Sequence, residues 1–422
     1  MFLVMTERQR YTLSRTQIQL TSRLVNSLIK IEQRLGLRTG ELDRDAILDK
    51  ARRKTGLEDL GNDNYIEVLD RLIDNARKVG ITPLGKWFIN FMIGKIAMNR
   101  LHIEDYIAKH PEVEDIPIES PIFIVGFPRT GTTLLQNVLS VGPGYRALYL
   151  WELATPYPLH EDREKDRRMR MGKVDIPLRL FKMGIPKLTT FHDVRVDTKE
   201  ECWVLKSNTF VIMHIDIITG LHEWNNWLLN MDRSWVYEEY KRLLQLQAHI
   251  TPTERFVLKC PTHLLNLKTI FKIFPDARIV WTHRSPVNSI TSTSSGASLV
   301  RRFFLDHVNH KRLGEVVETR FYSIIKEAMK FRSQIGDDQL FDMNFGTLIK
   351  DIPRAVRDIR NHFRIPHSAD HDKAVWEFLN KPRKDKPGKH SYSPEQFGLD
   401  PEEIVERFDD YMERFDIKRD AN

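Results

Sequence analysis

The sequence predicts an α/β protein in which a parallel sheet is flanked by helices and preceded by a helical region. Two observations support this fold class. The apolar run IFIVGF (122–127) leads through a glycine-containing loop into TTLLQNVLS (132–140), whose apolar residues recur at helical spacing. Two later apolar runs enclose another segment of helical spacing. Strands that alternate with helices in this way are typical of parallel sheets covered by helices.

The first part of the chain is predicted to be helical. Its clearest pattern places apolar residues at helical spacing, at Ile66, Leu69, Leu72, Ile73 and Ala76. The segment PEVEDIPIESP (111–121) then interrupts the pattern with three prolines and a cluster of acids. We therefore expect a helical N-terminal region over 1–117 and an α/β domain over 118–422.

The second half of the α/β domain is predicted to contain a β-α-β unit. RFVLKC (255–260) and ARIVWTH (277–283) are strand candidates, and the segment between them fits a crossover helix that ends at Pro275. Near the C-terminus, Asp400 is in the N-cap position and Pro401 in the first position of a final helix. A basic loop, PRKDKPGKHSY (382–392), precedes it.

Composition limits the function classes. The 422 residues are 41% hydrophobic and 29% charged, with a net charge of +7. Because charges of both signs are scattered along the chain, we expect no nucleic-acid partner. The longest apolar candidate, 87–98, is interrupted by Lys95, so no transmembrane segment is expected. The two cysteines fit reduced thiols of a cytoplasmic protein, and a homo-oligomer is left open.

The loop GFPRTGTTLL (126–135) is P-loop-like. Gly126 and Gly131 have the separation of the Walker A pattern and Thr133 has its hydroxyl position, but Thr132 replaces the lysine. Backbone N–H groups, the dipole of the following helix and the threonine hydroxyls can still hold a phosphate. The cation of this loop is Arg129, which can reach a group on the 5′ side of a nucleotide.

A second phosphate contact is predicted after the last strand of the β-α-β unit. THRSPVNSITS (282–292) places Arg284 at a strand end and Ser292 at the start of the next helix. Such a pair can hold one phosphate from two sides. The alternative is a surface arginine and an ordinary helix cap.

These stretches resemble the sulfotransferases that use 3′-phosphoadenosine 5′-phosphosulfate (PAPS). The P-[KR]-[ST]-G-T-T loop of that family matches 128–133, and its arginine followed eight residues later by a serine matches Arg284 and Ser292. A WEL segment, LKCPTHL, FPDARIVWTHRSP and YSPEQFGLD resemble the microbial branch, so the resemblance extends from Pro121 to the C-terminus.

The resemblance implies a PAPS-dependent sulfotransferase that needs no metal. It implies contacts to the 5′-phosphosulfate from the loop residues Arg129, Thr130, Gly131, Thr132 and Thr133, and contacts to the 3′-phosphate from Arg284 and Ser292. Arg129 also faces the departing oxygen. A late basic residue, Lys386, Lys389 or His390, closes over the 3′-phosphate, unless that segment is only a flexible charged loop.

Two residues are candidates for the base that takes the proton of the acceptor. Glu152, in YLWELATPYP, lies where several branches of the superfamily carry a catalytic glutamate. His263, in LKCPTHL, lies four residues after Lys259, two more than in the K-x-H motif of cytosolic sulfotransferases. We expect Glu152 to be the base, with Lys259 and His263 close to the sulfuryl group, and His263 stays open as the alternative.

The predicted function is sulfuryl transfer to a hydroxyl of a small-molecule or lipid-like acceptor. One alternative is a P-loop nucleotide kinase or other phosphotransferase, against which Thr132 in the lysine position counts. The other is a nucleotide-binding scaffold without catalysis, against which the retained Arg129, Glu152, Lys259 and His263 count.

Overall fold

The sheet has five parallel strands in the order β2-β3-β1-β4-β5. The computed structural model describes residues 23–35, 40–184, 194–381 and 392–418. The strands are β1 (Ile122–Gly126), β2 (Tyr145–Arg146), β3 (Arg255–Lys259), β4 (Arg278–His283) and β5 (Leu340–Asn344). The three strands expected from the sequence and the parallel α/β fold class are confirmed.

In the described part of the chain, four helices precede the sheet and the others pack around it. The N-terminal helices are α1 (23–34), α2 (Arg44–Thr55), α3 (Tyr65–Lys78) and α4 (Pro83–Lys109). Those up to β3 are α5 (Thr132–Leu139), α6 (Leu150–Ala154), α7 (Arg163–Gly184), α8 (Trp203–Lys206), α9 (Ile215–Thr219), α10 (His222–Asn230) and α11 (Ser234–Ile250). Those after β3 are α12 (Leu267–Ile273), α13 (Pro286–Phe304), α14 (His310–Arg332), α15 (Phe345–Lys350), α16 (Ile352–His362), α17 (Ala369–Asn380), α18 (Pro401–Arg407) and α19 (Asp409–Arg414).

The predicted crossover between β3 and β4 is present, with a different beginning. Pro261 starts a 3₁₀ turn over Pro261–Asn266, and the α-helix α12 follows and ends before Pro275. Parallel strands require a crossover connection, and this one passes over β1, which lies between β3 and β4. The predicted Asp400 cap of α18 is also confirmed, since its carboxylate accepts the N–H of Glu402 at 2.8 Å.

The two faces of the sheet bury different clusters because side chains alternate along a strand. Phe123 and Val125 of β1 belong to a large core that also takes in residues of α11 to α14. Ile122 and Ile124 face the other way and pack with α5 and α16. The sheet is therefore the middle layer of three, and its carboxyl edge carries the connections that form the candidate site.

The N-terminal helices share their core with later parts of the chain. Residues of α2 to α4 pack in one cluster with Phe210 and with Trp224 of α10. The boundary at 117 stays a prediction, but the packing crosses it. A buried ion pair links α9 to α14, a helix of the large core against the sheet. The guanidinium of Arg320 lies 2.8 Å from the carboxylate of Asp216.

No helix in the described part of the chain combines the length and the apolar content that crossing a bilayer requires. Cys202 and Cys260 are both buried free thiols.

Candidate active site

The glycine loop connects β1 to α5 and curls through three residues with positive φ. Gly126 has a φ of 142°, Arg129 of 73° and Gly131 of 87°. Only the glycines adopt such angles without a steric penalty, so the strained residue is Arg129. Its side chain is exposed. Backbone strain of this kind is frequent at binding loops, where the surrounding structure enforces it.

Gly126 is required by close packing against β4. A Cβ at this position would lie 2.2 Å from Thr282 Oγ1 and 2.7 Å from the Thr282 carbonyl oxygen. The loop can therefore leave β1 in this direction only because the residue has no side chain.

We expect Gly126→Ala to lower the free energy of unfolding by about 1–3 kcal/mol, because the added methyl group overpacks the strand contact. Gly172→Ala in α7 is the matched control, since a Cβ there meets nothing within 4 Å. Urea unfolding of both variants measures the difference, and equal stabilities would contradict the packing argument.

Thr130 anchors the loop from inside. Its hydroxyl donates to the carbonyl of Phe127 at 2.7 Å and lies 2.6 Å from the hydroxyl of Thr282. Thr282 in turn donates to the carbonyl of Val125 at 3.2 Å. The geometry therefore gives Thr130 a role in holding the loop shape, in addition to any ligand contact of its backbone.

The N-terminus of α5 supplies the donors that an anion needs. Thr132 and Thr133 are the first two helical residues, and Thr133 is exposed. The first intrahelical bond at this end runs from Leu135 N–H to the Gly131 carbonyl at 3.0 Å. The N–H groups before it have no intrahelical acceptor, so they are available to a bound anion.

Arg284 contacts the loop. Its Nη1 donates to the carbonyl oxygen of Arg129 at 3.0 Å. Its guanidinium also lies 4.4 Å from the ring centre of Phe345. Phe345 in turn contacts the loop, because a Cβ at Gly131 would lie 3.2 Å from its ring. The loop, Arg284 and Phe345 thus form one continuous surface.

A cleft of about 1040 Å³ opens beside this surface. Arg284, Ser285 and Phe345 line it, together with three further cations, Lys350, Arg354 and Lys418, and three acids, Asp351, Asp358 and Asp416. The cations outnumber the acids, and with the aromatic ring of Phe345 they suit a nucleotide that carries phosphates.

Ser292 is not at a helix start, which differs from the prediction. Helix α13 begins at Pro286, so Ser292 is its seventh residue, and it is buried. Sequence reasoning missed Ser289, whose hydroxyl donates to the carbonyl of Pro128 at 2.8 Å. The S-x-x-S spacing on one helix face could have suggested Ser289, but no local signal distinguishes the two serines.

Lys259 forms an ion pair that the sequence analysis did not foresee. Its Nζ lies 2.9 Å from Oε1 of Glu201, and its side chain is 1% exposed while that of Glu201 is 23% exposed. Burial acts to lower the pKa of Lys259, but the adjacent Glu201 and Glu200 outweigh it and raise that pKa. Lys259 is therefore a buried cation at neutral pH with a partly exposed carboxylate over it.

Backbone contacts place this pair between the carboxyl end of β3 and helix α5. Cys202 N–H donates to the Lys259 carbonyl at 3.0 Å. Gln136, one helical turn after Thr132, donates through Nε2 to the Glu200 carbonyl at 3.2 Å. Glu201 thus lies on the side of the sheet that carries the phosphate loop. In the sequence, the acids of TKEECW could not be told from those of a helix start.

The carboxylate of Glu152 is held by hydrogen bonds to neighbouring parts of the fold. Its Oε1 lies 2.5 Å from Nη2 of Arg146, and its Oε2 accepts the N–H of Tyr149 at 2.8 Å, which closes a capping box on α6. Arg146 also donates to carbonyls at the end of α11. Both carboxylate oxygens of Glu152 are therefore engaged, and this geometry favours a role in stability over one in proton transfer.

His263 lies inside the core, so it cannot reach a substrate in this structure. It is 0% exposed, and its ring stands edge-on to Phe123 at 5.0 Å. Its Nδ1 lies 2.8 Å from the hydroxyl of Tyr237. Burial, and then Lys206, lower its pKa well below the usual value, so the ring is neutral. The 3₁₀ turn that starts at Pro261 directs the side chain away from the sheet edge.

Two clusters of the described residues have metal-ligand chemistry. Glu201, His214 and Cys260 have ligand atoms within 4.8 Å of one another, as do His110, Glu112 and His249. In the first, Lys259 already balances the carboxylate charge. In the second, Glu112 lies 3.2 and 3.3 Å from the two imidazoles, which hydrogen bonds explain.

Lys386, Lys389 and His390 of the late basic loop lie outside the described residues.

Residues 121–369 match the sequence model of the Sulfotransferase family, which is more than half of the chain. The chain belongs to this family. The match begins one residue before β1 and includes the loop, Glu201, Lys259, Arg284 and Phe345. The sulfotransferase assignment drawn from the sequence is thereby confirmed, and the enzyme is a transferase.

Similar proteins come from mycobacteria. The crystal structure of the sulfotransferase STF1 from Mycobacterium tuberculosis H37Rv superposes with a TM-score of 0.77 and 27% identity, over 86% of this chain and 97% of that chain. STF9 from Mycobacterium avium gives a TM-score of 0.80 at 25% identity, over 90% and 98%.

A relative of described activity is the omega-hydroxy-beta-dihydromenaquinone-9 sulfotransferase Stf3 of Mycobacterium bovis and Mycobacterium tuberculosis. It is 24% identical over 265 residues, which are 59% of this chain and 64% of the relative. The match thus spans less than two thirds of the length of that protein.

Proposed function

We propose that this enzyme transfers the sulfuryl group of PAPS to a hydroxyl of a lipid-like acceptor. The observation that carries the proposal is the loop of a sulfotransferase-family member in which Arg129, and no Walker lysine, is the cation. PAPS has a 5′-phosphosulfate and a 3′-phosphate but no γ-phosphate, so a lysine after the second glycine has nothing to hold.

The residues present fit this donor. The N–H groups of Thr132 and Thr133 at the start of α5 suit the 5′-phosphosulfate. Arg284 suits the 3′-phosphate, because a guanidinium binds phosphate oxygens in pairs. Phe345, which lines the cleft, offers an aromatic ring to the nucleoside. We keep Ser292 as a contact to the 3′-phosphate. It lies about one helical turn after Ser289, on the helix that supports the loop.

The Glu201–Lys259 pair suits the chemical step, and we assign Glu201 as the base in preference to Glu152. In the reaction the acceptor oxygen forms a bond to sulfur, the bond from sulfur to the 5′-phosphate oxygen breaks, and the hydroxyl proton leaves. Glu201 takes that proton, since its carboxylate is partly exposed. Lys259 and Arg129 stabilise the negative charge that builds up on the oxygens around sulfur. No protein side chain needs to form a covalent bond.

The acceptor class rests on the relatives and on surface chemistry. Stf3 acts on a menaquinone derivative with a terminal hydroxyl, which is a lipid. Trp87 and Phe91 are apolar side chains exposed on α4, and an apolar surface suits a lipid-like acceptor. A cytoplasmic location is also part of the proposal, and the two buried free thiols support it.

Ligand-dependent thermal stability tests the donor assignment. Adenosine 3′,5′-bisphosphate should raise the melting temperature of the purified protein, and ATP with Mg²⁺ should not, because in this proposal Arg284 binds a 3′-phosphate, which ATP lacks. An equal response to both nucleotides, together with metal-dependent ATP hydrolysis, would contradict the proposal and favour a phosphotransferase.

We expect Arg284→Ala to weaken the binding of adenosine 3′,5′-bisphosphate by about 10- to 100-fold, the range for losing charge-assisted hydrogen bonds. Arg312→Ala is the control, because Arg312 pairs with Glu315 on an exposed turn of α14. Isothermal titration of the bisphosphate and of adenosine 5′-monophosphate measures the effect. Loss of affinity for both nucleotides to the same degree would contradict a specific 3′-phosphate contact.

A further inference from the structure

Two neighbouring helices expose aromatic and aliphatic side chains to solvent. On α4, Trp87 and Phe91 are each 42% exposed and their rings stack at 5.6 Å. On α7, Ile176 and Leu180 are 65% and 64% exposed, and Met183 follows on the same helix face. Side chains at such spacing lie on one side of a helix, so each helix presents an apolar stripe.

The two stripes lie side by side on antiparallel helices. Phe88 of α4 and Phe181 of α7 have ring centres 6.0 Å apart. Towards the N-terminal half of α7, the positive charge of Lys173 helps to lower the pKa of Lys95 on α4. We call the surface formed by Trp87, Phe91, Ile176, Leu180 and Met183, with Lys95 and Lys173 at its end, the apolar-basic face. Exposed apolar surface of this extent generally marks an interaction site.

The charge around the apolar-basic face is predominantly positive. Residues 83–98 of α4 contain Lys86 and Lys95 and no acid, and residues 173–184 of α7 contain Lys173, Arg179 and Lys182 against one acid, Asp175, which pairs with Arg179 at 2.7 Å. Burial, and then Lys173, lower the pKa of Lys95 to about 8. The face thus carries a net positive charge beside its apolar side chains, which suits an anionic partner.

Helix α1 adds a second apolar surface, because its apolar side chains face the solvent. Leu24, Leu28 and Ile31 occupy one side of it and are 60%, 62% and 51% exposed. The opposite side faces the protein, because Asn26 accepts the N–H of Leu84 at the start of α4 and Ile29 is buried. The helix therefore turns apolar side chains outward, and it does so next to the apolar-basic face.

We propose that the apolar-basic face and the outer side of α1 dock on an anionic lipid bilayer, with the aromatic and aliphatic side chains at the headgroup boundary and the lysines on lipid phosphates. Apolar area combined with basic residues is what binds proteins to the surface of such membranes. The inference deepens the proposed function, because docking brings the enzyme to the phase in which a lipid-like acceptor is dissolved.

A second copy of the chain is the less favourable occupant. In a two-fold symmetric contact the same surface of both copies is brought together, so the net positive charges of the two faces would meet. Like charges across an interface oppose association, whereas a layer of anionic headgroups attracts them. Charge complementarity therefore selects the bilayer.

Vesicle sedimentation without donor or acceptor tests the proposal. The full chain should bind vesicles of phosphatidylcholine with 30% phosphatidylglycerol, and less well those of phosphatidylcholine alone or at high salt. We expect Ile176→Glu/Leu180→Glu to lower the partition coefficient at least about tenfold, since it removes apolar contacts and adds negative charge. Lys173→Glu should lower it at least about fivefold.

Matched controls separate this proposal from its alternatives. Trp376→Glu alters a side chain of α17 that is 65% exposed, outside the face, and should bind vesicles like the wild type. Equal binding by all variants, or a dimer in light scattering that Ile176→Glu/Leu180→Glu dissociates without any vesicle binding, would overturn the proposal. Sulfate transfer in detergent solution to an isoprenoid quinone with a terminal hydroxyl is the independent readout of the proposed function. Transfer without vesicle binding overturns only the docking surface, and vesicle binding without transfer overturns only the catalytic proposal.

Discussion

The variant Glu201→Gln should transfer sulfate about 10²- to 10⁴-fold more slowly than the wild type and bind adenosine 3′,5′-bisphosphate with unchanged affinity. This range is the usual contribution of a positioned general base. The amide keeps the shape of the side chain and can still accept a hydrogen bond from Lys259. In the wild type, Nζ of Lys259 lies 2.9 Å from Oε1 of Glu201. It cannot accept the proton of the acceptor. Single-turnover transfer measured with saturating donor isolates this step from substrate binding.

Glu152→Gln is the matched variant at the other candidate base. Its carboxylate lies against Arg146 and caps α6, so we expect a loss of stability with a transfer rate within a few fold of the wild type where the protein is folded. The reverse pattern, with a slow but stable Glu152→Gln and a fast Glu201→Gln, would show that the glutamate chosen from the sequence is the base.

The largest stability effect should come from Asp216→Asn. Arg320 places Nη1 at 2.8 Å from both carboxylate oxygens of Asp216, and the side chains of the pair are 5% and 1% exposed. Removing one charge leaves the other buried without its counter-charge, which costs about 3–5 kcal/mol. Such a loss is a large part of the total stability of a typical domain. Urea unfolding measures it.

The control and the rescue variant make this prediction specific. Asp358→Asn removes a carboxylate that lies 3.8 Å from Arg354 on the surface, and it should change the free energy of unfolding by less than about 1 kcal/mol. Asp216→Asn combined with Arg320→Met should recover part of the loss, because no buried charge is left unpaired. A double variant less stable than Asp216→Asn would contradict this explanation.

The parts of the fold that local pattern determines were predictable. IFIVGF, RFVLKC and ARIVWTH form strands because apolar and β-branched runs of this length suit a sheet buried on both faces. Gly126 and Gly131 predicted the loop, because the positive φ at both positions is accessible to glycine. Asp400 predicted a helix start because its carboxylate satisfies otherwise unpaired N–H groups.

The parts that depend on tertiary contacts were not predictable. Glu201 meets Lys259 only because the segment after Lys199 crosses the end of β3, and no sequence spacing indicates that contact. His263 lies in the core since the Pro261 turn changes the direction of the chain. Glu152 pairs with Arg146 of the short strand β2, which has too few residues for a strand pattern.

Transfer of radiolabelled sulfate from PAPS to an isoprenoid quinone with a terminal hydroxyl tests the central claim most directly. The account predicts transfer by the wild-type protein without added metal, a rate about 10²- to 10⁴-fold lower for Glu201→Gln, and little change for Glu152→Gln. Transfer that is equally fast in Glu201→Gln and wild type, under conditions in which chemistry limits the rate, would contradict it.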